Sequence, residues 1–248
     1  MESQTQFHTI ESIELVSSNS RHDFPMHSHR VFCVGIVTDG QLIFQLDGNN
    51  LVLNPFDLYF IPAGVAHTIL NYQGIPYQHI VVCIHENQLH QIPAAGVLQD
   101  TAIGKAFLSL IKNTMETDSE NELLQYINEL SSSFLLEYDR GEKTAILQAI
   151  LSYIQMHLDE PFSLDDLCTD ISLSKYHLIR LVKAQSGLTP HQIYVQEKIR
   201  AVREGILQSD SITDLAYRYR FTDQSHLCHV FKKYVGLTPI QYQKNNLE

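Results

Sequence analysis

Between Phe24 and Ile84 the chain runs in short apolar stretches broken by turn residues. VFCVGIV ends at Asp39-Gly40, LIFQL at Asp47-Gly48-Asn49-Asn50, LVL at Asn54-Pro55, LYFI at Pro62-Ala63-Gly64, and HIVVCI closes the series at His79–Ile84. A spacing of roughly 8–12 residues with Gly, Asp, Asn or Pro at each break predicts an all-β sandwich or barrel. Several runs are apolar at successive positions, so both faces of those strands need cover: a small barrel packed inside and covered outside.

From about Asp100 the period lengthens from two to three and a half. Ile103, Phe107, Leu110 and Ile111 line one helix, and a second begins at Ser119-Glu120-Asn121-Glu122, a capping-box pattern. Its stripe, Leu123, Ile127, Leu130, Phe134 and Tyr138, fits either the protein's own core or a seam with a second subunit, because amphipathicity does not distinguish them. The polar stretch Arg140-Gly141-Glu142-Lys143 is the best domain boundary. The chain thus divides into a β domain over 1–98, a helical dimerisation or packing segment over 99–142, and an all-α domain over 143–248.

That last part contains an internal repeat. Ser163-Leu-Asp-Asp-Leu-Cys168 matches Ser211-Ile-Thr-Asp-Leu-Ala216 at an offset of 48, and Gly187-Leu-Thr-Pro190 matches Gly236-Leu-Thr-Pro239 at an offset of 49. Each unit reads as a capped helix, a short turn and a second helix. Ser163 and Ser211 are N-cap candidates, and Thr189-Pro190-His191-Gln192 and Thr238-Pro239-Ile240-Gln241 each place Thr at a cap, Pro at N1 and Gln at N3.

Two helices joined by a tight turn form the helix-turn-helix, whose second helix fits the major groove of DNA. The units span about 163–183 and about 211–234. With Leu178, Leu181 and Val182 inward, the first presents Lys175, Tyr176, Ile179, Arg180 and Lys183. With Leu227, Val230 and Phe231 inward, the second presents Asp223, Gln224, Ser225, His226, His229, Lys232 and Lys233. Such donors suit base edges and phosphates.

The stretches SLDDLCTDISLSKYHLIRLVK, GLTPHQIYVQEKIR and SITDLAYRYRFTDQSHLCHVFKKYVGLTPIQY resemble the DNA-binding domain of the AraC/XylS family of transcription regulators. The resemblance covers about Leu151 to Gln243 and implies two recognition helices, bridged by one helix, in successive major grooves. It also implies a small-molecule effector, a homodimer, and RNA polymerase as partner if the protein activates. Arg220 stands at a turn position where the family usually has Gly, so strain is expected there. Gly205 stands in the bridging helix where a larger apolar residue is usual, at a cost of about 1 kcal/mol.

Composition narrows the reading further. The 248 residues, 44% apolar and 18% charged, exclude low-complexity disorder. The longest apolar run, Val31–Val37, is far short of the ~20 residues of a membrane helix. The start, MESQTQFHTIES, lacks a basic flank and an apolar core, so a cytoplasmic protein without a secretion signal is expected. Cys33, Cys83, Cys168 and Cys228 form no C-x-x-C pair and read as buried thiols. The net charge of −11 lies wholly in the first 143 residues, 6 Lys+Arg against 17 Asp+Glu, while the remainder carries 11 of each. The acidic front argues against nucleic acid binding there.

The front half carries a different chemistry. His27-Ser28-His29, and Pro62-Ala63-Gly64-Val65-Ala66-His67 followed by Asn71, resemble the two motifs of the cupin barrel. In cupin enzymes an H-x-H pair, a Glu shortly after and a later His hold a divalent metal. Here Arg30-Val31-Phe32-Cys33-Val34 offers no carboxylate before Asp39, and Phe56 stands where the second motif begins with Gly. His27, His29 and His67 therefore read in three ways: structural histidines, walls of an effector pocket, or metal ligands. Phe24, Tyr59 and His79 join them near the barrel mouth by strand position. No cofactor is implied, and a non-enzymatic regulator is favoured over a metal-dependent cupin enzyme carrying a DNA-binding appendage.

Overall fold

Two strands precede the first one expected. In the computed structural model, which describes residues 4–134 and 145–247, β1 (Gln4–Ile10) and β2 (Ile13–Ser20) form a tight hairpin with Ile10 opposite Ile13. Its turn is Glu11-Ser12, and Glu11 takes a left-handed φ of 49° that usually recruits Gly or Asn. Polar strands and an unmarked turn explain why the pattern did not announce them. The remaining strands are β3 (Phe24–His27), β4 (Phe32–Asp39), β5 (Leu42–Leu46), β6 (Asn49–Leu53), β7 (Leu58–Ile61), β8 (His67–Asn71), β9 (Tyr77–Ile84) and β10 (Gly96–Leu98).

These strands make two antiparallel sheets, one of six in the order β1-β2-β9-β4-β7-β10 and one of four in the order β3-β8-β5-β6. Side chains alternate along a strand, so the six-stranded sheet has two distinct faces. Cys33 and Val37 of β4, with Tyr59 and Ile61 of β7, share a core with Leu42, Phe44 and Ile69 of the smaller sheet. Phe32, Val34 and Ile36, with Leu58, Phe60, Val82 and Ile84, pack on the opposite side. That second face is covered by α1 (Thr101–Thr117) and α2 (Asn121–Phe134) through Phe107, Ile111, Leu123, Ile127 and Leu130. Strands that read apolar at every position are thus sandwiched between a sheet and a helix pair.

The stripe of α2 is resolved by this packing. Leu123 and Ile127 are fully buried and Leu130 is 3% exposed within their own unit. The Phe134 side chain and Tyr138 lie outside the described residues. The capping box at Ser119 does not form: the Glu122 carboxylate accepts from the Asn113 side-chain amide, and Glu120 turns inward to accept from the backbone N–H and hydroxyl of Ser12. Helix α1, by contrast, is capped by Asp100, which accepts from the N–H groups of Ala102 and Ile103.

The chain separates into two compact units, Met1–Asp139 and Arg140–Glu248; the boundary expected at Arg140-Gly141-Glu142-Lys143 lies outside the described residues. The second unit contains α3 (Ala145–Met156), α4 (Leu164–Ile171), α5 (Lys175–Ser186), α6 (Pro190–Leu207), α7 (Ile212–Arg218), α8 (Gln224–Val235) and α9 (Pro239–Leu247). Helix α6 is its axis, burying Ile193, Tyr194, Ile199, Val202 and Ile206. It also buries Lys198, whose ammonium lies 4.8 Å from the Tyr194 ring centroid and 4.5 Å from that of Phe221. Burial lowers the pKa of Lys198 to about 8. The cost assigned to Gly205 needs correcting. A Cβ there would meet Cδ2 of the fully buried Leu215 at 2.5 Å, so glycine is what lets α7 approach α6.

Candidate nucleic-acid interface and effector site

The repeat visible in the sequence is a repeat of geometry. Ser163 caps α4 through the Asp166 N–H, and Ser211 caps α7 through the Asp214 N–H. Each first helix ends on a left-handed residue, Ser172 (φ 56°) or Arg220 (φ 53°), 48 positions apart. Each then returns a bond from the next N–H to a carbonyl five residues back, Leu173 to Cys168 and Phe221 to Ala216. The offset grows to 49 because Thr222 is an extra turn residue before the cap of α8. Arg220 therefore bears the strain expected of it, and its Nε–H donates to the Asp159 carbonyl at 3.0 Å. Thr189 and Gln192 form a reciprocal capping box at the start of α6.

On α5, Leu178 and Val182 are buried, leaving Lys175, Tyr176, Ile179, Arg180 and Lys183 exposed; Tyr176 is 76% exposed. Lys175 is already paired with Asp165 at 2.7 Å, in solvent. On α8, Leu227 and Phe231 are buried, and Gln224, Ser225, His229, Lys232 and Lys233 are exposed. Two residues placed on that outer face have other work. Asp223 is the N-cap, its carboxylate accepting from the His226 N–H at 2.7 Å. The His226 ring folds back on the turn, where Nδ1 accepts from the Thr222 N–H and the ring meets Phe221 edge-on. An anionic cap facing phosphate would repel it, so Asp223 is better assigned to holding α8 in place.

At the barrel mouth the six candidate residues form one connected cluster. His27 lies 4.3 Å from His67 and 4.9 Å from His29, ring centroid to centroid, and His29 lies 5.1 Å from His67. Phe24 touches His27 and His79, and the Tyr59 hydroxyl meets His79 Nδ1 at 2.8 Å. Position in the sheet separates two groups. His27, at the end of β3, pairs directly with His67, the first residue of β8, and His29 follows in the loop. Tyr59 on β7 and His79 on β9 belong instead to the six-stranded sheet, and His67, Tyr59 and His79 are all buried. Phe44, not foreseen as part of the site, stacks on Tyr59 and approaches His67 at 6.1 Å. Its signal in the sequence was an alternating apolar position in the run LIFQL. Phe56, at the position where the cupin motif has Gly, takes a left-handed φ of 76°.

Burial sets the protonation of His67, His79 and Tyr59. Desolvation, then the neighbouring His27, holds His67 well below the usual imidazole value, and desolvation lowers His79 to about 4. Burial likewise pushes the Tyr59 phenol up. As pH falls below about 6.5 the unfolded imidazoles take protons before the folded ones, so stability must decline until the folded values are reached. For His79 alone the loss between about pH 6.5 and about 4 is on the order of 3 kcal/mol. Urea midpoints followed by tyrosine fluorescence should therefore drop steadily across that window. A flat profile would show that His79 is charged or solvated in the folded chain.

A β-sandwich with a polar, histidine-lined mouth, followed by two tandem helix-turn-helix units, defines a DNA-binding regulator with a ligand-binding front domain. A family model described as an AraC-like ligand binding domain matches residues 12–126, and one described as a helix-turn-helix domain matches 167–245. The chain is 28% identical over 223 residues to YbfI of Bacillus subtilis (strain 168), an uncharacterized HTH-type transcriptional regulator, covering 82% of this chain and 81% of that protein. It is 23% identical to the HTH-type transcriptional activator RhaS of Escherichia coli O81 (strain ED1a), over 88% of this chain and 86% of RhaS. Among solved structures, ToxT from Vibrio cholerae O395 shares the fold with a TM-score of 0.62 at 10% identity, covering 98% of each chain. The chain thus carries an AraC-like ligand binding domain followed by a helix-turn-helix domain, the domain pair of the AraC/XylS transcription regulators. No helix among the described residues is long and apolar enough to cross a membrane.

Proposed function

We propose that this protein is an effector-responsive transcription activator of the cytoplasm, not an enzyme, and that α5 and α8 read double-stranded DNA. The observation that carries the reading is how the repeat varies. Counted from their caps Ser174 and Asp223, Lys183 and Lys232 occupy the same position, whereas Lys175, Tyr176 and Arg180 are replaced by Gln224, Ser225 and His229. Phosphate contacts are the same at every site and base contacts are not, so a retained cation beside altered readers fits a phosphate anchor beside base readers. RhaS, described as an activator, supports the direction of regulation. ToxT has been solved with an unsaturated fatty acid bound, which supports a small-molecule effector at the front domain, placed here at Phe24, His27, His29 and His67 with Tyr59 and His79 behind them. A homodimer contacting RNA polymerase completes the reading, with a seam other than the buried Leu123–Ile127–Leu130 stripe.

Arg180→Ala should weaken binding to a selected operator by about 1–3 kcal/mol and relax preference at one position. Lys232→Ala should weaken all sequences alike and flatten the salt dependence by about one phosphate contact. Fluorescence anisotropy over a salt series measures both. If neither variant alters binding, α5 and α8 do not face DNA as assigned.

A further inference from the structure

We infer that Cys33 and Cys83 form a reversible dithiol–disulfide site, oxidised by peroxide that reaches Cys83. The two residues stand directly opposite one another on β4 and β9, both are free cysteines, and their Sγ atoms lie 3.6 Å apart. Opposed residues of antiparallel strands have Cα atoms about 4.5–5.5 Å apart, inside the window of about 4.4–6.8 Å that a disulfide spans. Only the sulfurs have to move, closing to about 2.0 Å by side-chain rotation while the ladder between β4 and β9 stays intact. A pair held in contact by its sheet reacts as one unit, with no second molecule to find. In a reducing compartment such a pair rests as thiols and is oxidised transiently.

Exposure assigns the order of events. Cys33 is fully buried in the core that holds Val37, Leu42, Tyr59 and Ile61. Its hydrogen bond with Cys83, and then burial, push its thiol well above the ordinary value, so Cys33 is not the sulfur that reacts first. Cys83 is half-buried, and along its row of the sheet exposure rises through Glu14, half-buried on β2, to Thr9, exposed on β1. Hydrogen peroxide therefore meets Cys83. Its sulfur takes one peroxide oxygen, the O–O bond breaks, and water departs to leave a sulfenic acid. The Cys33 sulfur then attacks that sulfur, the S–O bond breaks, and the hydroxyl leaves as a second water with the Cys33 proton. The two thiols give up two electrons and two protons in all, and peroxide takes up both. A small thiol reverses the step by exchange.

The register runs on from Cys33–Cys83 through Gly35–Val81 to Val37–His79, so the link staples the two strands that carry Gly35 and His79, the neighbours of Tyr59. The test uses full-length protein, reduced and freed of reductant, then treated with hydrogen peroxide, alkylated and mapped by mass spectrometry. The chain should lose two hydrogens, join the Cys33 and Cys83 peptides, run as a single chain on a non-reducing gel, and recover all four alkylatable thiols with dithiothreitol. Because the link closes a loop between residues 50 positions apart, the oxidised chain should melt several degrees above the reduced one. Cys33→Ala should strand Cys83 as a sulfenic acid that dimedone traps, whereas Cys83→Ala should give no dimedone adduct at Cys33. The wild-type map stands even if Cys33→Ala is poorly folded. The site is overturned by a folded wild-type chain that forms no Cys33–Cys83 link at any peroxide dose, or forms it only in denaturant. It is overturned equally by dimedone captured at Cys33 of Cys83→Ala, or by a linked chain that melts no higher than the reduced one.

Discussion

Replacing Ile127 with glutamate is expected to unfold the front unit, not to release a folded monomer from a severed seam. Ile127 is fully buried among Phe107, Ile111, Leu123 and Leu130 and the outer face of the six-stranded sheet. Removing its side chain alone would cost about 2–5 kcal/mol through lost burial and a cavity. Adding a carboxylate with no partner there adds several kcal/mol more, or forces it to stay protonated. Against a typical domain stability of about 5–15 kcal/mol, the sum leaves little folded protein. Circular dichroism melts with size-exclusion chromatography of the full chain check this. A variant that melts like wild type and elutes as a smaller species would return α2 to the role of a subunit seam.

How much of this was legible depended on whether a feature is local. Caps at Ser163, Thr189 and Ser211 are local, and the structure uses each of them as a cap. The sheets were visible where turns carry Gly, Asp, Asn or Pro, and invisible at β1 and β2, where Glu11 alone takes the left-handed position. The stripe of α2 was visible, but its partner was not, because nothing in an amphipathic helix names the surface that covers it. Asp223 shows the same limit at the DNA face: an exposed acid next to donors reads as part of the surface until its bond to the His226 N–H is seen. The three histidines were recognisable from the H-x-H spacing and a later His. The contacts of His27 Nδ1 with the Pro25 carbonyl and of His67 Nδ1 with the Val65 carbonyl emerge only once β3 and β8 are paired.

The glycine of β4 offers the sharpest test of the sandwich core. Gly35 stands directly opposite Tyr59 on β7, and the tyrosine ring lies across the bare backbone. A Cβ at position 35 would fall 1.9 Å from Tyr59 Cζ and 2.3 Å from its hydroxyl oxygen. No small shift relieves that, because the ring is stacked on Phe44 at 5.3 Å and its hydroxyl is engaged with His79. Gly35→Ala must therefore expel Tyr59 from a fully buried site, losing its aromatic burial and leaving His79 Nδ1 unpartnered. The expected cost is about 3–5 kcal/mol, comparable to truncating a buried aromatic. Alanine itself suits a strand slightly better than glycine, so local propensity would predict the opposite sign. Urea denaturation decides between them, and the double variant Gly35→Ala/Tyr59→Leu supplies the control. If the clash is the cause, shortening residue 59 should recover much of the loss that Gly35→Ala incurs, giving a strongly non-additive cycle. Additive losses, or a Gly35→Ala chain as stable as wild type, would mean that the Tyr59 ring does not rest on Gly35.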